Sequence, residues 1–160
     1  MIHWPIQKKR EDGCLLISPH LTLSGTGCEG SRLMMTMVLL VDDDPLQSQV
    51  RRSILLRQFR TVERASDPAE AFIMVEDPDF AEKLGLVVVG LNRPGLSSPA
   101  FVAELISRLP GVPVLVLGCH RDDAVLYPGE NVHCLPRTVP TDQMLAVSRK
   151  IVDQYAARVA

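Results

Sequence analysis

The chain has 160 residues, 46% of them hydrophobic and 22% charged, enough to bury one core, and its 17 basic against 19 acidic side chains give a net charge of -2. That balance supplies no electrostatic footprint for nucleic acid or for a membrane surface. No apolar run approaches the ~20 residues that cross a bilayer, and the N-terminus lacks an apolar signal core with a small-residue cleavage site, so a cytoplasmic protein is expected.

Residues 1–35 carry Gly13, Gly25, Gly27 and Gly30 among Ser and Thr and keep no period of a helix or strand, so they read as a poorly ordered extension ahead of one domain over 36–160. Met34, Met35 and Met37 cluster just before the first apolar run, which raises the expectation that the natural start lies there and that the first 33 residues are an artefact of the gene boundary. Cys14, Cys28, Cys119 and Cys134 form no CxxC pair, and Cys14, His20 and Cys28 match no zinc spacing; free thiols are expected.

The first strand, 37–42 (MVLLVD), runs into Asp42, Asp43, Asp44 and Pro45. Carboxylates crowded at the tip of a buried strand repel one another, so they should face a cation or a phosphoryl group, or cap the next helix. Asp44 reads as the cap, with Pro45 at the first helical position, and the helix should turn Leu46, Val50 and Ile54 to the core. A strand at 61–65 (TVERA) precedes Asp67-Pro68, where Asp67 and Glu70 form a capping-box-like pair. The strand 86–90 (LVVVG) is followed by a helix that starts at Ser98-Pro99 and presents Phe101, Val102, Leu105 and Leu109. Strands at 113–118 (PVLVLG) and 131–135 (NVHCL) come next, and a last helix presents Met144, Val147, Ile151 and Tyr155. Between the last two strands Pro128-Gly129 leaves room for a fourth helix of only about two turns, over 122–127.

Strands that are apolar at nearly every position are buried on both faces, as a parallel sheet between two helix layers requires. Five of them alternating with helices predict an α/β doubly wound parallel sheet in the order 2-1-3-4-5. The crevice of such a sheet lies at the carboxyl ends of its central strands, and there the loops Asp42-Asp43-Asp44, Gly90-Leu91-Asn92 and Gly118-Cys119-His120 should converge.

In order and spacing, VLLVDDDP, LVVVGLNRPGLSSPAFVAEL, PVLVLG and CLPRTVPTDQML resemble the response-regulator receiver domain of two-component signalling over about residues 36 to 155. The resemblance implies a flavodoxin-like sheet, an acidic pair after the first strand, a phosphoacceptor aspartate ending the third, a hydroxyl ending the fourth and a lysine after the fifth. Asp42 and Asp43 supply the pair; Gly90, Gly118 and Arg137 stand at the other three positions. In a receiver the aspartate attacks phosphorus and shares a magnesium ion with the acidic pair. Gly90 can do neither, and Gly118 cannot bond a phosphoryl oxygen. Arg137 keeps the charge in a fork that does not replace a compact ammonium, and is expected to pair with Asp42 or Asp43. Cys134 stands where the family often carries a switching aromatic. A divalent cation would be held weakly if at all, by Asp43, Asp42 and the Asn92 carbonyl; the competing reading is a relic pocket in which one aspartate pairs with Arg137 or has a raised pKa.

The resemblance therefore implies a degenerate receiver, a phosphorylation-independent interaction module without enzymatic activity or a firm cofactor. Its signalling partner, or a second copy of the chain, would contact either the face of the fourth helix, fifth strand and last helix or the first helix. Leu126, Tyr127, Val132 and His133 could form a contact patch there, with His120 and His133 otherwise ordinary surface or edge histidines. The chain ends at Ala160 after the last helix, so no output domain is expected to follow. Two alternatives stand beside this reading. The vacated pocket, with Arg93, Arg121 and Arg137 nearby, could take a small anion such as a nucleotide. Asp42-Asp43-Asp44 also resembles the opening motif of haloacid-dehalogenase-like phosphatases, although Pro45, Gly118 and Arg137 depart from that pattern and Asp122-Asp123 is a doubtful acidic pair.

Overall fold

Apolar residues in nearly unbroken runs form the strands, and aspartate-proline pairs start the helices between them. The structure is a computed structural model that describes residues 34–92, 98–119, 126–127 and 129–159. Its elements are β1 (Met34–Asp42), α1 (Pro45–Leu55), β2 (Phe59–Ala65), α2 (Pro68–Glu76), α3 (Pro78–Lys83), β3 (Leu84–Gly90), α4 (Ser98–Arg108), β4 (Val114–Leu117), β5 (Val132–Leu135) and α5 (Thr141–Val159). The strands pair in parallel in the order β2-β1-β3-β4-β5, the predicted arrangement. The extension expected over 1–35 falls on residues outside the described ones up to 33, and so does the short fourth helix up to residue 125.

Successive strand residues point to opposite faces, which divides the core in two. Leu39, Val41, Val87, Val89, Val114 and Val116 pack on one face against Ala71 and Val75 of α2 and Phe101, Val102 and Leu105 of α4. Val38, Leu40, Leu86, Val88, Leu115 and Leu117 pack on the other against Leu55 of α1 and Met144, Ile151 and Val152 of α5. Every residue of the central strand β3 is buried, whereas β2, at the edge, buries only Phe59, Val62 and Ala65. The apolar face expected for α4 is buried in full, and that of α5 through Met144 and Ile151, with Val147 and Tyr155 half-buried.

The helix starts follow local hydrogen bonding. The Asp44 carboxylate accepts from the N–H groups of Leu46 and Gln47 at 2.9 and 3.1 Å, and that of Asp67 from Glu70 at 2.8 Å. Glu70 reaches back one residue beyond the cap, to the backbone N–H and hydroxyl of Ser66 at 2.7 and 2.6 Å. Helix α3 has no counterpart in the sequence-based expectation. It begins at Asp77-Pro78, the same signal, with Asp77 both closing α2 and accepting from Asp79 N–H at 3.0 Å.

The expected phase of α1 is corrected. Its buried residues are Ser48, Arg51 and Leu55, whereas Leu46 and Val50 are 68% and 47% exposed and Ile54 is half-buried. The reason is a charge beneath the helix: Arg51 turns inward to the Asp42 carboxylate, and Ser48 and Leu55 share its face at helical spacing. Val50→Lys should therefore shift the unfolding free energy by less than about 0.5 kcal/mol, while Leu55→Ala should cost about 2–5 kcal/mol in denaturant titrations. Comparable losses from the two would contradict this orientation.

Candidate functional site

The parallel register places Asp42, the last residue of β1, directly beside Gly90, the last residue of β3. Asp42 is 1% exposed, so both its oxygens need partners. Oδ1 accepts the backbone N–H of Asp44 at 3.0 Å, and Oδ2 accepts Nη1 of Arg51 in a buried ion pair. The same guanidinium lies over Gly90. A Cβ at position 90 would overlap Arg51 Nη1 and sit 3.3 Å from Asp42 Oδ2, so the volume freed by the missing side chain is filled by Arg51.

A second group of bonds closes the neighbouring part of the crevice. Both oxygens of Asp43 accept the Asn92 backbone N–H, at 3.0 and 3.2 Å. The Asn92 side-chain amide donates to the Gly90 carbonyl at 3.2 Å, and its Oδ1 accepts Nη2 of Arg137 at 2.8 Å. Gly118 closes β4 with its N–H on the Leu135 carbonyl at 2.9 Å. Its φ of +92° lies where side chains with a Cβ are strained, although the nearest atoms to such a Cβ would be Arg137 Nε at 3.8 Å and Asn92 Oδ1 at 3.9 Å. Asp43, Asp44, Pro45 and Asn92 line an open cleft of about 390 Å³ at the mouth.

Asp42, Asp43, Gly90, Asn92, Gly118 and Arg137 thus meet at one end of the sheet, as the sequence suggested. The counter-ion of Asp42 does not match the expectation: it is Arg51, not Arg137, whose Nη2 bonds Asn92 instead. Arg51 escaped the sequence reading because a charged residue amid a helical pattern reads as solvent-facing. The signal that could have found it is its helical spacing with Ser48 and Leu55, opposite a glycine at the end of a buried strand. Arg93, Arg121 and His120, invoked for an anion or as surface groups, fall outside the described residues. Leu126 is 53% exposed, but Tyr127, Val132 and Cys134 pack on the core. His133 is half-buried, and burial, then the charges of Arg158 and Lys150, push its pKa down.

With Arg51 in place the donor set does not fit a divalent cation. Both oxygens of Asp42 are engaged, one by a guanidinium that would repel the metal, and Gly90 offers no side-chain ligand. Among the described residues no group of three or more His, Cys, Asp or Glu side chains is placed to hold one.

Burial pushes the Asp42 carboxyl above its ordinary value of 3.8, aided by the charge of Asp43; the Asp44 N–H and the Arg51 guanidinium pull it partway back. The folded chain thus takes up this proton at a higher pH than the unfolded chain does. Asp42 consequently favours the folded state increasingly as pH falls through its raised value towards 3.8. Compared with Asp42→Asn, the wild-type chain should gain relative stability across that window; a difference that is flat or of opposite slope in unfolding free energy against pH would contradict the assignment. Gly118→Thr, which restores a hydroxyl to the end of β4, should destabilise by about 1–3 kcal/mol in denaturant melts through its φ alone.

Neither a protein-family model nor a curated protein matches the sequence. Solved structures do match the fold. The response-regulator receiver domain from Clostridium thermocellum has a TM-score of 0.67 at 19% identity, covering 77% of this chain and 98% of that one. A CheY-like receiver protein from Methanospirillum hungatei JF-1 gives 0.67 at 17% identity over 78% and 98%. The receiver domain of the hybrid histidine kinase CckA gives 0.59 at 20% over 72% and 98%. The chain has the CheY-like, flavodoxin-like fold of receiver domains. No helix among the described residues is long and apolar enough to cross a membrane.

Proposed function

We propose that this chain is a pseudo-receiver: a cytoplasmic signalling module that works through contacts with a protein partner and without phosphorylation of an aspartate. The observation that carries the reading is the end of β3. A receiver needs a carboxylate there to attack phosphorus. Gly90 has none, and its place beside Asp42 is filled by the Arg51 guanidinium. Asp42 itself is buried, with one oxygen on the Asp44 N–H and the other on the Arg51 guanidinium, so it is not presented as a free nucleophile. The fold supports the same reading at a coarser level, since receiver domains are modules of two-component signalling.

Regulation then comes from partner concentration or from a conformational equilibrium biased by binding. A contact through α1, one of the two faces considered from sequence, is supported by Leu46 and Val50, which stand exposed on it, beside the cleft lined by Pro45. The same reading assigns the chain no enzymatic turnover and no nucleic-acid partner.

Incubation with acetyl phosphate and magnesium should leave the intact mass unchanged, and hydrolysis of p-nitrophenyl phosphate should stay at background. A phosphate found on any residue of this pocket, or turnover that is lost in Asp42→Asn, would overturn the proposal.

A further inference from the structure

Asp42 and Asp43 put two carboxylates side by side at the end of a buried strand, and their charges oppose each other. A buried carboxylate left without a counter-charge is strongly destabilising, so a cation has to be supplied from solution or from the chain. The chain supplies it. Arg51 is itself buried, touches Asp42 Oδ2, and occupies the volume where a side chain at position 90 would begin. The guanidinium that pairs with Asp42 is thus the same group that lies over Gly90.

We infer that Arg51 is the resident cation of this pocket: its guanidinium does the neutralising that a divalent metal ion would otherwise do, and it makes the fold independent of metal. Arg51 and Gly90 form a coupled pair, because the arginine needs the glycine's empty volume and Asp42 needs the arginine's charge. The inference concerns how the pocket is neutralised and does not rest on what the chain signals to. It therefore stands or falls separately from the phosphorylation test.

The test is thermal melting with and without millimolar magnesium chloride, at ionic strength matched with sodium chloride, on the full chain and two variants. The wild-type melting temperature should not respond to magnesium. Arg51→Met, which keeps most of the side-chain volume but not the charge, should melt lower and regain several degrees in a saturable, magnesium-dependent way, because an ion that binds only the folded state stabilises it by mass action. The double variant Asp42→Asn with Arg51→Met should lose that response. If Arg51→Met does not fold in the absence of metal, its refolding yield against magnesium concentration becomes the readout, with the same expectation of a saturable rise. A magnesium response in the wild type equal to that of Arg51→Met, or no response in Arg51→Met by either readout, would overturn the inference.

Discussion

The organising constraint is the charge of one buried carboxylate. Asp42 ends the interior strand β1 with 1% of its surface exposed, and leaving it unpaired would cost several kcal/mol. One long side chain from the next helix answers that demand, and the answer fixes more than the pair. Arg51 must face the sheet, so Ser48 and Leu55 face it too, and Leu46 and Val50 are left to solvent. Fully burying two such apolar side chains would be worth about 1.5–3 kcal/mol each, comparable to the penalty of an unpaired buried charge. Energy of burial alone therefore does not decide the phase of α1. The buried pair of Arg51 with Asp42 goes with the phase observed, in which Leu46, in the first turn capped by Asp44, and Val50 stay outside.

The remainder of the crevice is closed by hydrogen bonds built around Asn92. Its backbone serves Asp43, its amide serves the Gly90 carbonyl, and its oxygen serves Arg137. Asn92 therefore links the ends of β1 and β3 to the loop after β5. Among the described residues no buried side-chain nitrogen or oxygen lacks a partner. A crevice whose polar groups satisfy one another has little to offer an incoming ion, which agrees with the poor fit of its carboxylates to a divalent cation.

Much of the fold was legible because the pattern that specifies it is local. Runs such as LVVVG can only be central strands, and Asp44-Pro45 and Asp67-Pro68 mark helix starts through bonds within a few residues. The missed helix α3 carries the same mark at Asp77-Pro78, so its omission was a failure to apply a sound rule. The candidate site was legible only in part. Spacing after each strand brought Asp42, Asp43, Gly90, Gly118 and Arg137 to one place, but not the partner of Asp42. That partner is chosen in three dimensions, by the length of an arginine and an empty volume across the sheet, and a count of apolar residues along a helix registers neither.

Gly90 and Gly118, at the ends of β3 and β4, answer to different physical constraints. Gly118 has φ of +92°, and nothing stands closer than 3.8 Å to where its Cβ would be, so its backbone conformation demands glycine while space does not. At Gly90 the constraint is reversed: φ is not positive, an ordinary strand conformation would accept any residue, and a side chain would meet the guanidinium of Arg51, which would have to shift. A glycine forced by backbone would be indifferent to Arg51, whereas a glycine forced by volume is tied to it. The bare end of β3 and the inward Arg51 are therefore two sides of one packing arrangement. A side chain at position 90 would first have to displace the Arg51 guanidinium from that volume.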